Sequence, residues 1–406
     1  MERERTRGES ARAEALSSAN RLGLTVVYRL KAAKAGRSSA ALGVGAALIN
    51  ERKAERVYPR PARATSQAAS EAWALRARSE DEARTVLEAL QQDPLVERSY
   101  VAPPRYLASR RNQHAAGSRG STLNLAWRAQ VKLAQAQSLL QWNGTHRIPV
   151  AILDSGVDVS HPALTHVAYA EHITESPPAL PDPTGHGTHV TGLIASLVQG
   201  GWSSEGVAAP IADVTVHRGL ADPYDPLAYY RALRAATGNA RVINLSLSGS
   251  ADDPEETDEI EHAIARGVVV VAAMGNEAEF GEVDAFPASI GGVIAVGAVD
   301  DAGKRAPFSN CGGNICVAAP GVDVGSTVPM YAVPLISSVT IPPGANMSGT
   351  SMACPIVTGI VVRMLSYNPG LSPKDIRNSL RGDPCGNTFD EVGIGVVDAA
   401  ATLSQL

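Results

Sequence analysis

The chain has 406 residues, of which 44% are hydrophobic, 19% are charged and 4% are aromatic, and its formal net charge is −5. This composition excludes an intrinsically disordered chain and a collagen-like repeat, and four cysteines are too few for a fold built on disulfides. The length allows two or three domains.

The charge is divided unevenly along the chain. Residues 1–147 contain 25 Lys and Arg against 13 Asp and Glu, a net charge of +12, whereas residues 148–406 carry a net charge of −17. The basic part could bind an anionic partner such as nucleic acid, could bind the acidic remainder of the same chain, or could be a solvated surface. Charge alone does not decide among these three interpretations.

The first hundred residues predict a small α+β domain over residues 23–107, preceded by a flexible polar leader at residues 1–22. The polar, Arg-rich segment 108–122 is predicted to be a linker that a protease could nick. The expected elements are strands at Thr25–Ala32, Glu55–Arg60, Ala72–Arg78 and Leu95–Val101, a helix near 38–49, and a helix capped by Ser79 and Glu82.

The remainder, residues 123–406, predicts an α/β domain with a doubly wound, mostly parallel sheet. Short, nearly continuous apolar runs are typical of strands buried on both faces, and they alternate with helical stretches. Strands are expected at Ile148–Leu153, Asp213–His217, Arg241–Ser246, Val268–Ala273 and Val293–Val299, and helices at Thr188–Val198, Asp225–Ala236, Thr257–Arg266 and Ser351–Tyr367. Ligands of such sheets bind beyond the carboxyl ends of the strands.

Three short sequences place reactive side chains at that edge of the sheet. Asp154 lies at the exit of a buried strand in AILDSG, His186 precedes a helix in GHGTHV, and Ser351 opens a helix in GTSMACP. Together they supply the orienting carboxylate, the base and the nucleophile of a serine hydrolase. His186 would take the proton of the Ser351 hydroxyl while Asp154 holds the imidazole in the required tautomer.

With these motifs in this order, the sequence resembles the subtilisin-like serine proteases, the subtilase family, over about residues 125–406. Val242–Leu247 resembles the family's substrate-binding strand and Val269–Asn276 its oxyanion segment, and Phe308–Asn310 and Ala319–Gly321 match two further landmarks. The resemblance implies a serine endopeptidase that hydrolyses peptide or protein substrates and requires no cofactor.

The resemblance also implies binding residues. The Asn276 side chain and the Ser351 backbone N–H are expected to stabilise the oxyanion. Because Ser248 and Met274 replace a Gly and a small residue of the family, we expect a narrowed or reshaped pocket for the residue before the cut. That pocket is expected to be lined by Ser246, Leu247, Ser248, Ala273, Met274 and Gly275.

No metal site is assigned from the sequence. The loop Gln199–Glu205 lacks the Asn-rich pattern of the family's strong calcium site and offers few oxygen ligands, so a structural calcium ion is unsupported. His186 and His189 are three residues apart, but no third ligand motif accompanies them, so His189 is expected to be structural. Asp158 is expected to be a turn carboxylate.

Two other features each have two interpretations. The run Asp252–Glu261 contains seven carboxylates. It could favour basic substrates, or it could be the N-terminal end of a helix, where the dipole favours negative charge; the second interpretation is preferred. Cys311 and Cys316 could form a local disulfide, or they could be free thiols in a reducing compartment. Cys354 is expected to be a small buried packing residue.

The first domain, with its ferredoxin-like order of strands and helices, resembles the inhibitory propeptides of subtilases. This resemblance implies that the N-terminal domain is an intramolecular inhibitor, with the tail after Val101 across the active site and self-cleavage within Arg105–Ser121. The attraction between a basic and an acidic segment agrees with it. The alternative is a permanent accessory domain that is never removed.

Three other functions fit parts of the sequence: a narrow-specificity processing protease for one peptide partner, a catalytically silent binding scaffold, and a nucleic-acid module in the basic region. That region has no recognisable nucleic-acid motif, and the longest apolar runs fall short of the roughly 20 residues of a membrane helix. We therefore expect no nucleic-acid partner and no membrane partner. We also expect a monomer. No apolar segment follows the opening MERERTR, so a cytoplasmic location is expected, with secretion by another route left open.

Overall fold

The computed structural model describes residues 24–31, 45, 47–48, 54–57, 72–109, 122–139, 146–174, 180–278, 284–334 and 344–406. The predicted leader and nearly all of the predicted linker lie outside these residues. Most of the helix expected near 38–49 also lies outside them, although Gly45, Ala47 and Leu48 are helical.

The N-terminal domain is built on a four-stranded antiparallel sheet. Its strands are β1 (Thr25–Leu30), β2 (Glu55–Arg56), β3 (Ala72–Arg76) and β4 (Val96–Val101), and they lie in the order β2-β3-β1-β4 with helix α1 (Glu80–Gln91) packed on the sheet. This strand order is the one expected of the ferredoxin-like α+β sandwich. A separate core cluster, which includes Val26, Tyr28, Leu75 and Leu90, stabilises the domain.

The cap of helix α1 differs in one bond from the predicted capping box. The Ser79 side chain accepts from the Glu82 backbone N–H at 3.1 Å, as expected. The Glu82 carboxylate, however, accepts from the backbone N–H of Arg78 at 2.6 Å and not from that of Ser79. The donor is therefore the residue before the N-cap and not the N-cap itself. The helix starts where predicted, with a modified cap.

A short strand, β5 (Tyr106–Leu107), follows the domain and pairs with the second domain. The strands of that domain are β6 (Ile148–Asp154), β7 (Ala168–Glu171), β8 (Ala212–Arg218), β9 (Val242–Leu245), β10 (Leu247–Ser248), β11 (Val269–Ala273), β12 (Ile294–Val299), β13 (Val317–Pro320), β14 (Val324–Thr327), β15 (Gly344–Met347), β16 (Gly382–Asp383) and β17 (Val396–Val397).

Nine of these strands form one sheet in the order β16-β17-β13-β12-β11-β9-β6-β8-β7. All neighbouring pairs are parallel except β16 and β17 at one edge, so the expected doubly wound, mostly parallel sheet is confirmed. The predicted apolar strands occupy its centre, where β9, β11 and β12 are buried along their whole length, because helices cover both faces.

The helices after α1 are α2 (Trp127–Gln130), α3 (Leu133–Leu139), α4 (His186–Ala195), α5 (Pro226–Asn239), α6 (Pro254–Ala265), α7 (Thr350–Tyr367), α8 (Pro373–Ser379), α9 (Phe389–Val392) and α10 (Ala399–Leu403). Among the described residues, one helix, α7, is long and apolar enough by composition to cross a membrane. Its apolar window is 89% buried inside the protein, as in the central helix of a packed domain. Helices α4 and α7 pack together and carry His186 and Ser351 at their first turns.

Candidate active site

Asp154 and His186 form a buried pair at the carboxyl edge of the sheet. Asp154 ends strand β6, and its Oδ1 lies 2.7 Å from Nδ1 of His186, the first residue of helix α4. Both side chains are fully buried. Since a carboxylate can only accept, Nδ1 carries the hydrogen of this bond, and the neutral form of such a ring has its lone pair on Nε2. Nε2 has no hydrogen-bond partner within the described part of the chain.

Two glycines allow this close approach of strand and helix. Gly156 has φ +125°, and a Cβ on it would lie 1.8 Å from the Pro181 carbonyl oxygen. A Cβ on Gly187 would lie 2.0 Å from the carbonyl oxygen of Gly156. The turn after Asp154 therefore packs backbone to backbone against the first turn of α4, which brings His186 to the carboxylate.

A second acidic residue, Asp182, holds the start of helix α4 and was not identified from the sequence. Its buried carboxylate accepts from the backbone N–H groups of Gly185 at 2.9 Å and Thr188 at 2.8 Å, and from the Thr188 hydroxyl at 2.6 Å. The Ser155 hydroxyl also donates to Asp182 at 2.9 Å. An acidic residue just before a helix is the signal that could have revealed this cap.

Ser351 lies in the first turn of helix α7, where its hydroxyl is engaged with Ser246. The Ser351 Oγ donates to the Ser246 carbonyl oxygen at 2.8 Å, and the Ser246 Oγ donates to the Ser351 carbonyl oxygen at 3.1 Å. Pro355, four residues on, has no N–H to offer that carbonyl, so the Ser246 hydroxyl takes the place of a helical hydrogen bond. The expected hydrogen bond between the Ser351 hydroxyl and His186 Nε2 is not formed in this structure, because the hydroxyl donates to Ser246 instead.

The chain's own residues 106–109 run across this site. Leu107 and Tyr106 of β5 pair antiparallel with Leu247 and Ser248 of β10. The backbone N–H of Ala108 donates to the Ser246 carbonyl oxygen at 3.3 Å, and its carbonyl oxygen accepts from the Ser351 backbone N–H at 3.0 Å.

Ala108, the first residue assigned to the predicted linker, lies in the site, where the tail after Val101 was expected to lie. Ala108 is only 2% exposed. A Cβ on Gly349 would lie 2.4 Å from the Ala108 carbonyl oxygen, and Gly349 has φ +151°. A glycine is therefore required where the bound strand passes. The remaining linker residues from 110 to 121 lie outside the described residues.

Asn276 is oriented by the residue before Ser351. Its Oδ1 accepts from the Thr350 backbone N–H at 2.9 Å and from the Thr350 hydroxyl at 3.1 Å. The same hydroxyl accepts from the Gly275 backbone N–H at 3.1 Å. These bonds fix the side-chain amide plane with its oxygen toward helix α7. The NH₂ group of Asn276 therefore lies on the side of the amide opposite to that oxygen.

The six residues predicted to line the pocket are all buried. Ser248 and Gly275 face each other, because a Cβ on Gly275 would lie 3.2 Å from the Ser248 Oγ. Met274 is 2% exposed and lines a neighbouring cavity of about 320 Å³ together with Asp284, Ala285 and others. Met274 thus belongs to the core on one side and to this cavity on the other.

His189 and Asp158 have structural roles, as expected from the sequence. His189 Nε2 lies 3.0 Å from the Val324 carbonyl oxygen and 3.1 Å from that of Ala345. Burial, with a smaller contribution from His186, lowers the pKa of His189 to about 3. Asp158 accepts from the Ser160 backbone at 2.9 Å in its own turn.

All four cysteines are free thiols, so the disulfide interpretation of Cys311 and Cys316 is wrong for this structure. Cys354 is fully buried, its Sγ lies 3.3 Å from the Asn244 Oδ1, and burial raises its pKa to about 12. The residues that the structure describes contain no group of three or more His, Cys, Asp or Glu side chains arranged to hold a metal ion.

The acidic run is the start of helix α6, with Asp253 as its N-cap, and it also faces the N-terminal domain. Both contributions follow from the geometry: the dipole favours carboxylates in the first turn, and basic side chains of the first domain reach the same carboxylates. The cross-domain contacts are Arg29 with Glu255 and Asp258, Arg98 with Glu255 and Asp258, Tyr100 with Asp253, and Arg105 with Glu256.

Comparison with known proteins decides the family. A model of the subtilase family (Peptidase_S8) matches residues 145–382, more than half of the chain. The chain belongs to the subtilase family. Subtilases are serine peptidases that need no cofactor for hydrolysis, and calcium is at most structural in subtilisins. The matched segment contains Asp154, His186, Asn276 and Ser351.

Several subtilases are similar to this one. Subtilisin E of Bacillus subtilis is 34% identical over 264 residues, which cover 63% of this chain and 65% of that protein. Subtilisin of Bacillus pumilus is 35% identical over 262 residues, which cover 63% of this chain and 90% of that protein. The crystal structure of fervidolysin from Fervidobacterium pennivorans, a keratinolytic enzyme related to subtilisin, shares the fold with a TM-score of 0.70 at 23% identity, over 94% of this chain and 61% of that chain.

Proposed function

We propose that this subtilase is a serine endopeptidase made as a self-inhibited precursor, and that it cleaves its own chain between Ala108 and Ser109. One observation carries the proposal: the Ala108 carbonyl oxygen accepts from the Ser351 backbone N–H at 3.0 Å while the preceding residues pair as a strand with β10. A peptide held this way presents its carbonyl carbon to the Ser351 hydroxyl.

In the first step, the Ser351 Oγ turns from the Ser246 carbonyl toward His186 by rotation about its Cα–Cβ bond. Its proton passes to the His186 Nε2, and Oγ forms a bond to the carbonyl carbon of Ala108. Asp154 stabilises the resulting imidazolium through Nδ1. The negative charge that develops on the Ala108 oxygen is stabilised by the Ser351 N–H and the Asn276 amine.

The intermediate then breaks its bond to the Ser109 nitrogen, which takes the proton from His186 and leaves as a free amine. Ala108 is now held as an ester on Ser351. A water molecule, deprotonated by His186, adds to the ester carbonyl, and Ser351 leaves with the proton returned by the imidazolium. The products are a carboxylate at Ala108 and an enzyme that begins at Ser109.

Inhibition follows from the same contacts, because cleavage breaks one peptide bond and leaves the others in place. The β5–β10 pairing and the arginine–carboxylate pairs hold the N-terminal domain across the site after the cut. A second peptide can bind only when this segment leaves. The basic N-terminal domain and the domain with the acidic face are therefore proposed to be the inhibitor and the enzyme of one chain.

A fluorophosphonate probe, which reacts with an activated serine, tests this function against the catalytically silent scaffold. The processed wild-type chain is expected to be labelled, and Ser351→Ala is expected not to be. Ser366→Ala, a change to a half-buried serine at the other end of helix α7, is the matched control and should be labelled like wild type. No labelling of the processed wild-type chain, or equal labelling of Ser351→Ala, would contradict the proposal.

A further inference from the structure

The fourth residue before the proposed cut is held in a fully buried ion pair. The Arg105 Nε lies 3.0 Å from the Glu256 Oε1, and its Nη2 lies 2.6 Å from the Glu256 Oε2. Both side chains have zero exposure. This two-point contact between planar groups is the geometry by which a carboxylate distinguishes arginine from other side chains.

The surroundings of Glu256 belong to the acidic domain and would remain after the N-terminal domain leaves. Glu256 lies in the first turn of helix α6, and the Tyr229 hydroxyl of helix α5 donates to its Oε1. A Cβ on Gly249 would lie 2.5 Å from the Arg105 Nη1, so the absence of a side chain there makes room for the guanidinium. These residues form a socket shaped for arginine.

From this socket we propose that Glu256 makes the enzyme select substrates with arginine four residues before the cleaved bond. The inference rests on the proposed endopeptidase function and on the assignment of the cut after Ala108. The recognised pattern is arginine, two further residues, and then the residue whose carbonyl is attacked, as in Arg105-Tyr106-Leu107-Ala108. The same contact that positions the precursor's own segment then sets substrate preference.

The selection has an attractive part and a penalty. Arginine neutralises Glu256 and satisfies both of its oxygens. A neutral side chain at this position would close the socket over a carboxylate without a counter-charge, which is strongly unfavourable in a water-excluded site. Lysine would neutralise the charge but, as a single ammonium group, could not span both oxygens in the same plane.

Two other arginines of the first domain contribute differently. Arg29 and Arg98 contact Glu255 and Asp258 from partly exposed positions on the sheet of the N-terminal domain, away from the strand that crosses the site. They hold the N-terminal domain against the second domain, but they do not lie on the segment that crosses the site. Arg105, in contrast, lies on the segment that crosses the site, immediately before β5.

The test compares cleavage of peptides by wild-type enzyme whose free active sites have been counted with the fluorophosphonate probe. The first peptide has the sequence of residues 103–111, and the others carry Lys, Gln or Met in place of the arginine that corresponds to Arg105. We expect kcat/KM to fall at least 10-fold from Arg to Gln or Met, with Lys between them.

Glu256→Gln is expected to bring the ratio of kcat/KM for the Arg and Gln peptides close to one. Glu261→Gln makes the same chemical change at an exposed position of the same helix and should keep the wild-type ratio. If Glu256→Gln fails to fold, the wild-type peptide series decides alone. Equal kcat/KM for all four peptides would overturn the arginine preference and leave the endopeptidase. If a separate sample of the enzyme reacts with the probe but the untreated enzyme cleaves none of the peptides, both proposals are overturned.

Discussion

The backbone N–H of Ser351 donates to the carbonyl oxygen of Ala108, so a peptide bond of this chain lies against the chain's own candidate nucleophile. The two residues are 243 positions apart in sequence. The contact connects the N-terminal domain, which ends in a strand that pairs with β10, to the helix that carries the serine. Inhibition and substrate binding are therefore expected to use the same backbone contacts.

Asp182→Asn is expected to lower the free energy of unfolding by about 2 kcal/mol, because it removes charge-assisted hydrogen bonds at the start of helix α4. An amide keeps one acceptor but brings an NH₂ group against backbone donors. Urea unfolding in the Ser351→Ala background, which prevents self-digestion, measures the change.

Asp213→Asn is the control for this prediction, since Asp213 is exposed on strand β8 and should change stability by less than about 0.5 kcal/mol. Equal stability of Asp182→Asn and Asp213→Asn would show that the buried carboxylate does not hold the helix.

Asn276→Asp is expected to lower kcat by about 10²–10³, the range known for removal of one oxyanion donor in subtilisin itself. The aspartate keeps an oxygen for the Thr350 N–H, so the start of helix α7 retains its partner while the amine donor is lost. Steady-state kinetics on a single peptide measures the change. A kcat within threefold of wild type would exclude Asn276 from stabilising the oxyanion.

Arg98→Gln is expected to weaken the affinity of the N-terminal domain for the processed enzyme about 10-fold, because the buried Glu255 carboxylate would lose one of its arginine partners. The NaCl concentration at which the two pieces separate on size-exclusion chromatography should therefore fall. Screening by salt should also diminish the difference between variant and wild type.

Arg84→Gln is the matched control for the domain contact, since Arg84 is exposed and pairs with Asp81 on its own helix. It should separate at the same salt concentration as wild type. If Arg98→Gln and Arg84→Gln behave alike, the arginine–carboxylate face does not contribute to domain binding.

The lowered pKa of His189 predicts a loss of stability in acid. Its pKa is about 3 in the folded protein against a usual value of 6.5, so between these pH values the unfolded chain binds a proton that the folded chain does not. The free energy of unfolding therefore falls as the pH drops from 6.5 toward 3, by up to about 1.4 kcal/mol per pH unit. His217, whose pKa burial lowers to about 4, acts in the same direction.

Urea unfolding of the Ser351→Ala protein from pH 4 to pH 7 measures this effect. Adding His189→Gln should make the dependence on pH shallower, because the proton-binding difference at this position is removed. Adding His262→Gln, at an exposed histidine, should leave the slope unchanged. An unchanged slope in His189→Gln would contradict the prediction.

The central strands and the reactive residues could be predicted from the sequence because their signals are local. Strands buried on both faces appear as apolar runs, and Asp154, His186 and Ser351 each stand beside glycines at element ends. The strand Val317–Pro320 was missed, since four small residues between turns carry little periodicity.

The contacts that join the two domains could not be predicted, because they depend on pairs far apart in sequence. Two residues of β5 give no strand pattern, and the acidic run showed charge without showing that Arg105 would pair with Glu256. Asp182 was missed for a similar reason, since a single cap before a helix resembles any turn residue. The cytoplasmic location and the monomeric state stay predictions.

The most direct test is the mass and N-terminal sequence of the purified wild-type chain beside Ser351→Ala. Self-cleavage after Ala108 predicts a wild-type fragment that begins at Ser109, while Ser351→Ala keeps the full mass of 42.3 kDa. A wild-type chain of full mass, or the same fragment in Ser351→Ala, would contradict self-processing by Ser351.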